Sequence, residues 1–136
     1  MIGALLRMPW EVVRVRMLER LREQGFTDLD PPHLNVIGQY PGPDGARPSE
    51  LAARLRVSKQ ALNYLVGQLE QRGYLERQPD QEDMRSRRIA LTPRGHAAFR
   101  LIREAVRELE QDWEERLGVD EFAQLRQLLQ RLNQLA

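Results

Sequence analysis

Between Pro48 and Gly95 the chain carries two helical patterns only three residues apart, and few folds accept that arrangement. Pro48-Ser49-Glu50-Leu51-Ala52-Ala53-Arg54-Leu55 reads as a short helix with proline in its first turn. Arg56-Val57-Ser58 breaks it, and residues 59–72 resume with Leu62, Leu65, Val66 and Leu69 at spacings of three and four. Gly73 stops this second helix, because glycine accepts a positive φ at low steric cost. Two helices joined so tightly fit a helix-turn-helix, whose second helix is shaped to enter a DNA major groove. A hairpin comes next: residues 74–78 and 87–91 read as strands around a charged turn at 79–86. The expected unit is a winged helix-turn-helix.

Residues 4–24 place Leu6, Trp10, Val13, Met17 and Leu21 on one helical face, with a regular start expected near Pro9 and an end at Gly25. A second helix follows Asp30 as N-cap, with Pro31 and Pro32 in its first turn and Leu34, Ile37 and Tyr40 along it. Residues 41–46, rich in proline and glycine, form a loop or hinge that no helix crosses. After the hairpin, Thr92-Pro93 opens the longest helix, with Ala98, Leu101, Ile102, Ala105, Leu109, Trp113 and Leu117 on its apolar face. Gly118 closes it and Asp120 is expected to cap a last helix bearing Phe122, Leu125, Leu128, Leu129, Leu132 and Leu135. The fold class is therefore mainly α with a small β-hairpin wing (α+β), flanked by long amphipathic helices. These helices either pack on one another within one chain or pair with a second copy, and a two-fold protein on a two-fold operator favours the second.

One domain of 136 residues suits this plan: N-terminal helices at 1–40, a winged helix-turn-helix at 47–94 and C-terminal dimerisation helices at 95–136. Residues 1–46 carry five basic and six acidic side chains, residues 47–94 ten and six, and residues 95–136 six and eight. The balances of −1, +4 and −2 concentrate positive charge where phosphate attraction is useful. No apolar run reaches the roughly 18–20 residues that span a bilayer, and the apolar start is interrupted at Arg7, so a cytoplasmic location is expected without a membrane partner. The absence of cysteine removes disulfides, thiol redox switches and zinc–cysteine sites.

Asp83-Met84-Arg85, five residues and then Leu91-Thr92, with Gly95 just beyond, resembles the wing signature of the MarR family of bacterial transcriptional regulators. The run from Leu69 to Arg77 is similar to that family's passage from recognition helix to wing, and Ser49-Glu50-Leu51-Ala52 to its preceding helix. The resemblance implies a homodimer built by the terminal helices, with the winged domains spread over successive major grooves. It also implies a repressor or activator relieved by a small, often aromatic, ligand between the dimerisation and DNA-binding parts. Met84 stands where the family commonly has a basic residue, and the 41–46 loop is longer than usual.

On the polar face of the second helix, Ser58, Lys59, Gln60, Asn63, Tyr64 and Gln68 are the candidate DNA contacts. Asn and Gln can pair with adenine N6 and N7, Lys59 can reach guanine or phosphate, and Ser58 can cap the helix near a phosphate. The bland alternative is a solvated polar face. In the wing, Arg85 and Arg87 are the candidates; the resemblance makes Arg85 the arginine that enters the minor groove. Asp83 is expected to orient a neighbouring arginine. Arg87 and Arg88 can equally be alternating strand residues, one facing out and one packing its stem.

An enzyme is not expected: there is no Gly-rich phosphate loop, no His-Glu-x-x-His and no nucleophile beside a base. The acidic residues of 104–115 are expected to pair with Arg103 and Arg107. His33 and His96 lack a local ligand set, so neither a metal nor another cofactor is expected. Trp10, Met17, His33, Tyr40 and Phe99 can line a ligand cleft between the first, second and fifth helices, or serve as core. The expected function is a dimeric, sequence-specific repressor of a pseudo-palindromic operator on double-stranded DNA, released by a small aromatic effector. The alternative is a winged-helix protein-interaction module without DNA binding.

Overall fold

A computed structural model describes residues 1–39, 42, 45–80, 82 and 87–136. The element order is α1 (Ile2–Glu23), α2 (Pro31–Gly38), α3 (Pro48–Leu55), α4 (Lys59–Gln71), β1 (Leu75–Pro79), β2 (Arg87–Leu91), α5 (Pro93–Leu117) and α6 (Val119–Leu135). The strands pair antiparallel, with Leu75 opposite Leu91 and Pro79 opposite Arg87. One core runs through the molecule, from Met17, Leu18 and Leu21 of α1 through Leu34 and Ile37 of α2 to Leu62, Val66 and Leu69 of α4. Ile89 and Leu91 of β2 and Ala98, Ile102 and Ala105 of α5 complete it.

The helix ends follow local chemistry. Ser58 Oγ accepts the Ala61 N–H at 3.0 Å and Thr92 Oγ1 accepts the Gly95 N–H at 3.1 Å, each satisfying a donor that the first helical turn leaves free. At the end of α4, Tyr74 N–H reaches Leu69 O at 2.8 Å and Gly73 N–H reaches Glu70 O at 3.1 Å, with Gly73 at φ +84°. This pair of bonds turns the chain sharply from recognition helix into wing. Gly95 answers a different constraint. A Cβ there would lie 2.1 Å from the Tyr74 carbonyl oxygen, so the start of α5 can press on the wing root only as glycine.

Several boundaries differ from expectation. α1 begins at Ile2 and contains Pro9, because residues 4–8 are strong helix formers and carry the helix across the hydrogen bond that proline removes. β1 starts one residue late, at Leu75, since Tyr74 N–H still belongs to the α4 terminus. Gly118 is the N-cap of α6, and Asp120 sits in the first turn, where its carboxylate still complements the helix dipole. Ala46 is more than loop: its N–H and C=O both bond Ile89, at 3.0 and 2.7 Å, adding a one-residue third rung to the hairpin.

The acidic face of α5 also pairs differently. Arg20 of α1 reaches both Glu104 and Glu108, Arg126 of α6 reaches Glu110 at 3.4 Å, and Arg116 reaches Asp112 at 3.1 Å. These pairs, not Arg103 and Arg107, hold the carboxylates, because α1 and α6 pack alongside α5. The outer ends of the long helices stay uncovered. Ile2, Leu5, Leu6, Met8 and Trp10 of α1, Leu117 of α5, and Leu125, Leu128, Leu129, Leu132 and Leu135 of α6 are all exposed; of the last stripe only Phe122 is buried. Among the described residues no helix is long and apolar enough to cross a membrane.

Candidate nucleic-acid interface

The apolar stripe of α4 faces the core, which turns Lys59, Gln60, Asn63 and Tyr64 outward. The hairpin lies beside the start of α4, and between them is a cleft of about 350 Å³ lined by Arg47, Pro48, Ser49, Lys59, Asn63, Arg77 and Arg87. Four of those seven side chains are cationic and none is acidic. Sequence-predicted Lys59, Asn63 and Arg87 are thus brought together, while Arg47 and Arg77 join from positions that were not singled out. Arg77 is anchored by Glu70, its Nε donating at 2.8 Å. Arg85 and Asp83, with Met84, lie outside the described residues.

Arg87 and Arg88 separate as an alternating strand requires. Arg87 is exposed at the cleft, whereas Arg88 is half buried, 3.8 Å from Asp80 and donating to Gly45 O at 3.3 Å. Asp80 is only 1% exposed. Its Oδ2 accepts from Arg47 Nε at 2.7 Å and its Oδ1 from the Glu82 N–H at 3.0 Å. The Arg47 hydrogen bond, with the Glu82 amide, holds the Asp80 carboxyl below its ordinary value despite burial. A carboxylate at the turn end of β1 therefore orients cleft-lining Arg47. Sequence reading missed it, since aspartate after proline reads as a turn residue.

A second cluster fixes the opposite end of the wing. Tyr74 is fully buried, its hydroxyl donates to Asp28 Oδ1, and Arg94 Nη2 donates to the same hydroxyl at 3.0 Å. The Arg94 guanidinium lies 4.6 Å from the Tyr74 ring centroid and 5.4 Å from that of Phe26. Arg72 adds a bond to Asp28 O at 2.7 Å. Burial, reinforced by the Asp28 hydrogen bond, pushes the Tyr74 phenol up to about 12. Burial works against the Asp28 charge, but the bonds from Tyr74, the backbone and Arg94 outweigh it and hold that carboxyl below its usual range. Segments distant in sequence meet here, so the wing root sits rigidly on the end of the recognition helix.

Gln68 is not a free reading residue. Its Oε1 lies 2.8 Å from His33 Nε2 and its Nε2 donates to Tyr64 Oη at 3.1 Å. His33 is 2% exposed, and its Nδ1 accepts the Asp30 N–H at 3.0 Å, which closes the start of α2. His33 therefore points into the α2–α4 contact and is not among the residues lining the cleft between α1, α2 and α5.

A cleft does lie between α1, α2 and α5, with a volume of about 400 Å³. Trp10 and Met17 line it, alongside Val13, Leu34, Ile102 and Val106, and Met17 also belongs to the core. Asn35, Gln39, Arg103, Arg107 and Glu110 supply its polar edge and were not anticipated there. Phe99 lies outside it, its ring 5.6 Å from the Arg103 guanidinium, and Tyr40 falls outside the described residues. Among the described residues no group of three or more His, Asp or Glu side chains is placed to hold a metal.

Comparison with known proteins agrees with this geometry. The sequence profile of the MarR family matches residues 24–86. A Thauera aromatica protein, provisionally named as the transcriptional regulatory protein for the hcr operon, is 34% identical over 99 residues. That match takes in 73% of this chain but only 58% of the relative, so the chain spans less than two thirds of that protein's length. Among solved structures, Streptococcus pneumoniae FabT in complex with DNA superimposes with a TM-score of 0.83 at 24% identity, over 98% of this chain and 94% of FabT. Escherichia coli MarR in its apo form gives a TM-score of 0.69 at 26% identity, over 97% of this chain and 96% of MarR.

Proposed function

The chain belongs to the MarR family, and from that premise we propose that it is a sequence-specific transcriptional regulator that binds double-stranded DNA as a homodimer. The observation that carries the reading is the cationic cleft between the start of α4 and the wing, where Arg47, Lys59, Arg77 and Arg87 converge beside Asn63. Phosphate oxygens are the natural occupants of such a cleft, and Lys59, Gln60 and Asn63 stand at the end of α4 that enters the groove. Ser58 caps that helix end, and Arg85 is assigned to the minor groove by the family's wing signature. The relative FabT was captured on DNA with this same fold.

The homodimer reading rests on the uncovered leucines of α6 and the apolar start of α1, a demand for burial that one chain leaves unmet. A two-fold assembly places two recognition helices on a pseudo-palindromic operator, and occupancy of that operator represses transcription. The cleft between α1, α2 and α5 receives a small aromatic effector against Trp10 and Met17, with Arg103 and Arg107 at its edge. Folding and operation belong to one domain of 136 residues.

A mobility shift with a duplex enriched from a random pool, run at two salt concentrations, tests the reading. A specific shift that weakens steeply with salt is expected. No binding even at low salt would overturn it in favour of a protein-interaction module. Sedimentation of the free protein at the mass of two chains is expected in parallel; a stable monomer would refute the dimer.

A further inference from the structure

We infer that Gln68 is a positioning residue that sets the polarity of the Tyr64 hydroxyl, so that Tyr64 meets DNA as a hydrogen-bond donor. The direction of the chain of bonds from α2 to α4 leaves no choice. The Asp30 backbone N–H can only donate, so His33 Nδ1 accepts it at 3.0 Å and the ring proton resides on Nε2. Nε2–H then donates to Gln68 Oε1 at 2.8 Å, which turns the amide NH₂ toward Tyr64. An amide nitrogen can only donate, so Tyr64 Oη accepts at 3.1 Å and must place its own proton elsewhere.

Tyr64 is 67% exposed on the outer face of α4, one turn beyond Gln60 and next to Asn63. The proton thus points from the reading face to solvent, or to whatever lies against it. On DNA its partner is an acceptor: a phosphate oxygen, or a base atom such as purine N7, guanine O6 or thymine O4. The amino groups of adenine and cytosine are the weaker partners, because the lone pair toward Gln68 is already used and only the second, ring-conjugated one is left for them. The inference rests on the DNA-binding reading and adds to it a fixed hydrogen-bond sense at one position. It also gives a buried histidine on α2 a role in what a residue on α4 can read.

The test is a double-mutant cycle on a duplex that the wild-type protein has enriched from a random pool. Gln68→Glu keeps an acceptor for His33 Nε2–H, so thermal unfolding should change little, while its second oxygen accepts the Tyr64 proton and reverses the hydroxyl. Tyr64→Phe removes the hydroxyl altogether. Tyr64→Phe should weaken binding roughly fivefold, the size of one net hydrogen bond. Gln68→Glu should cost that factor plus a general charge penalty, and only the penalty in the Tyr64→Phe background. The losses should therefore fall short of additive by roughly fivefold. A Tyr64→Phe loss equal on every duplex assigns the acceptor to phosphate, and a loss confined to one base position assigns it to that base; both support the inference. Additive losses, or unchanged affinity in Tyr64→Phe, overturn it while leaving the regulator reading intact. Wild-type protein that enriches no duplex overturns that reading, and the inference with it.

Discussion

Replacing Tyr74 with phenylalanine removes one oxygen atom from the wing root and leaves the ring packing in place. That oxygen donates to Asp28 and accepts from Arg94 at 3.0 Å, and both partners are charged. Hydrogen bonds to charged groups are each worth about 1.5–3 kcal/mol. Asp28 and Arg94 remain 3.4 Å apart and keep part of their interaction, so a loss of about 2 kcal/mol at pH 7 is expected. The pH dependence carries more information. With the phenol raised from 10.0 to about 12 in the folded state, the unfolded chain releases its proton first. Between those values the folded protein binds more protons than the unfolded one, so wild-type stability declines as pH rises. At pH 11.5 the decline reaches about 2 kcal/mol, since each tenfold difference in proton affinity between the two states is worth roughly 1.4 kcal/mol.

Tyr74→Phe lacks this titration. Asp28 and Arg94 feel the loss of the hydroxyl, but the one titrates well below this pH range and the other above it, so the difference between the two proteins reports mainly the phenol. Urea unfolding followed by the fluorescence of Trp10 and Trp113, at fixed protein concentration and at about pH 7, 9, 10.5 and 11.5, should show the two stabilities converging above pH 10. A constant offset from about pH 8 to 11.5 would refute the reasoning, because it would mean that the hydroxyl contributes packing and no linkage.

Three further outcomes are expected from the same structure. Gly95→Ala should destabilise the fold by about 3 kcal/mol or more, read from the urea midpoint, because the new Cβ would meet the immovable Tyr74 carbonyl at 2.1 Å. Asp80→Asn should flatten the acid limb of the stability profile: the depressed Asp80 carboxyl contributes stability above the ordinary aspartate range, near 3.8, that is lost as pH falls below it. Denaturation from about pH 6 down to pH 2.5 checks that sign. Arg87→Ala should weaken binding to all duplexes alike and lower the slope of log affinity against log salt by about one, as measured by titration at several salt concentrations.

Much of this fold is legible in the sequence because it is written in local chemistry. Ser58, Gly73 and Thr92 each act on backbone groups within five residues of themselves, so the ends of α4 and the start of α5 can be read directly. The burial of Leu62, Val66 and Leu69 follows from helical spacing alone, and it turns Lys59, Gln60 and Asn63 outward. Gly95 shows the limit of pattern matching. It can be recognised as part of a familiar signature, yet its reason, a close approach to a carbonyl 21 residues earlier, requires the packed structure.

Polar pairing is what the linear pattern does not carry. Helical periodicity states which way a side chain points and leaves open which element will lie opposite. Glu104 and Glu108 could be placed on the outside of a helix, but their partner Arg20 sits on α1, more than eighty residues away. Gln68 looks like a reading residue by spacing from Tyr64, and only the approach of α2 reveals that both ends of its amide are occupied. The same holds for Asp80, whose charge looks solvated until Arg47 and Arg88 close over it. For Asp80 and Gln68, polar groups drawn from water, a partner is required, since a buried charge or amide left alone costs more than the pairing with water it gives up. The residues hardest to assign from sequence are therefore those whose interactions bind distant segments together, and in this chain they surround the wing and the recognition helix.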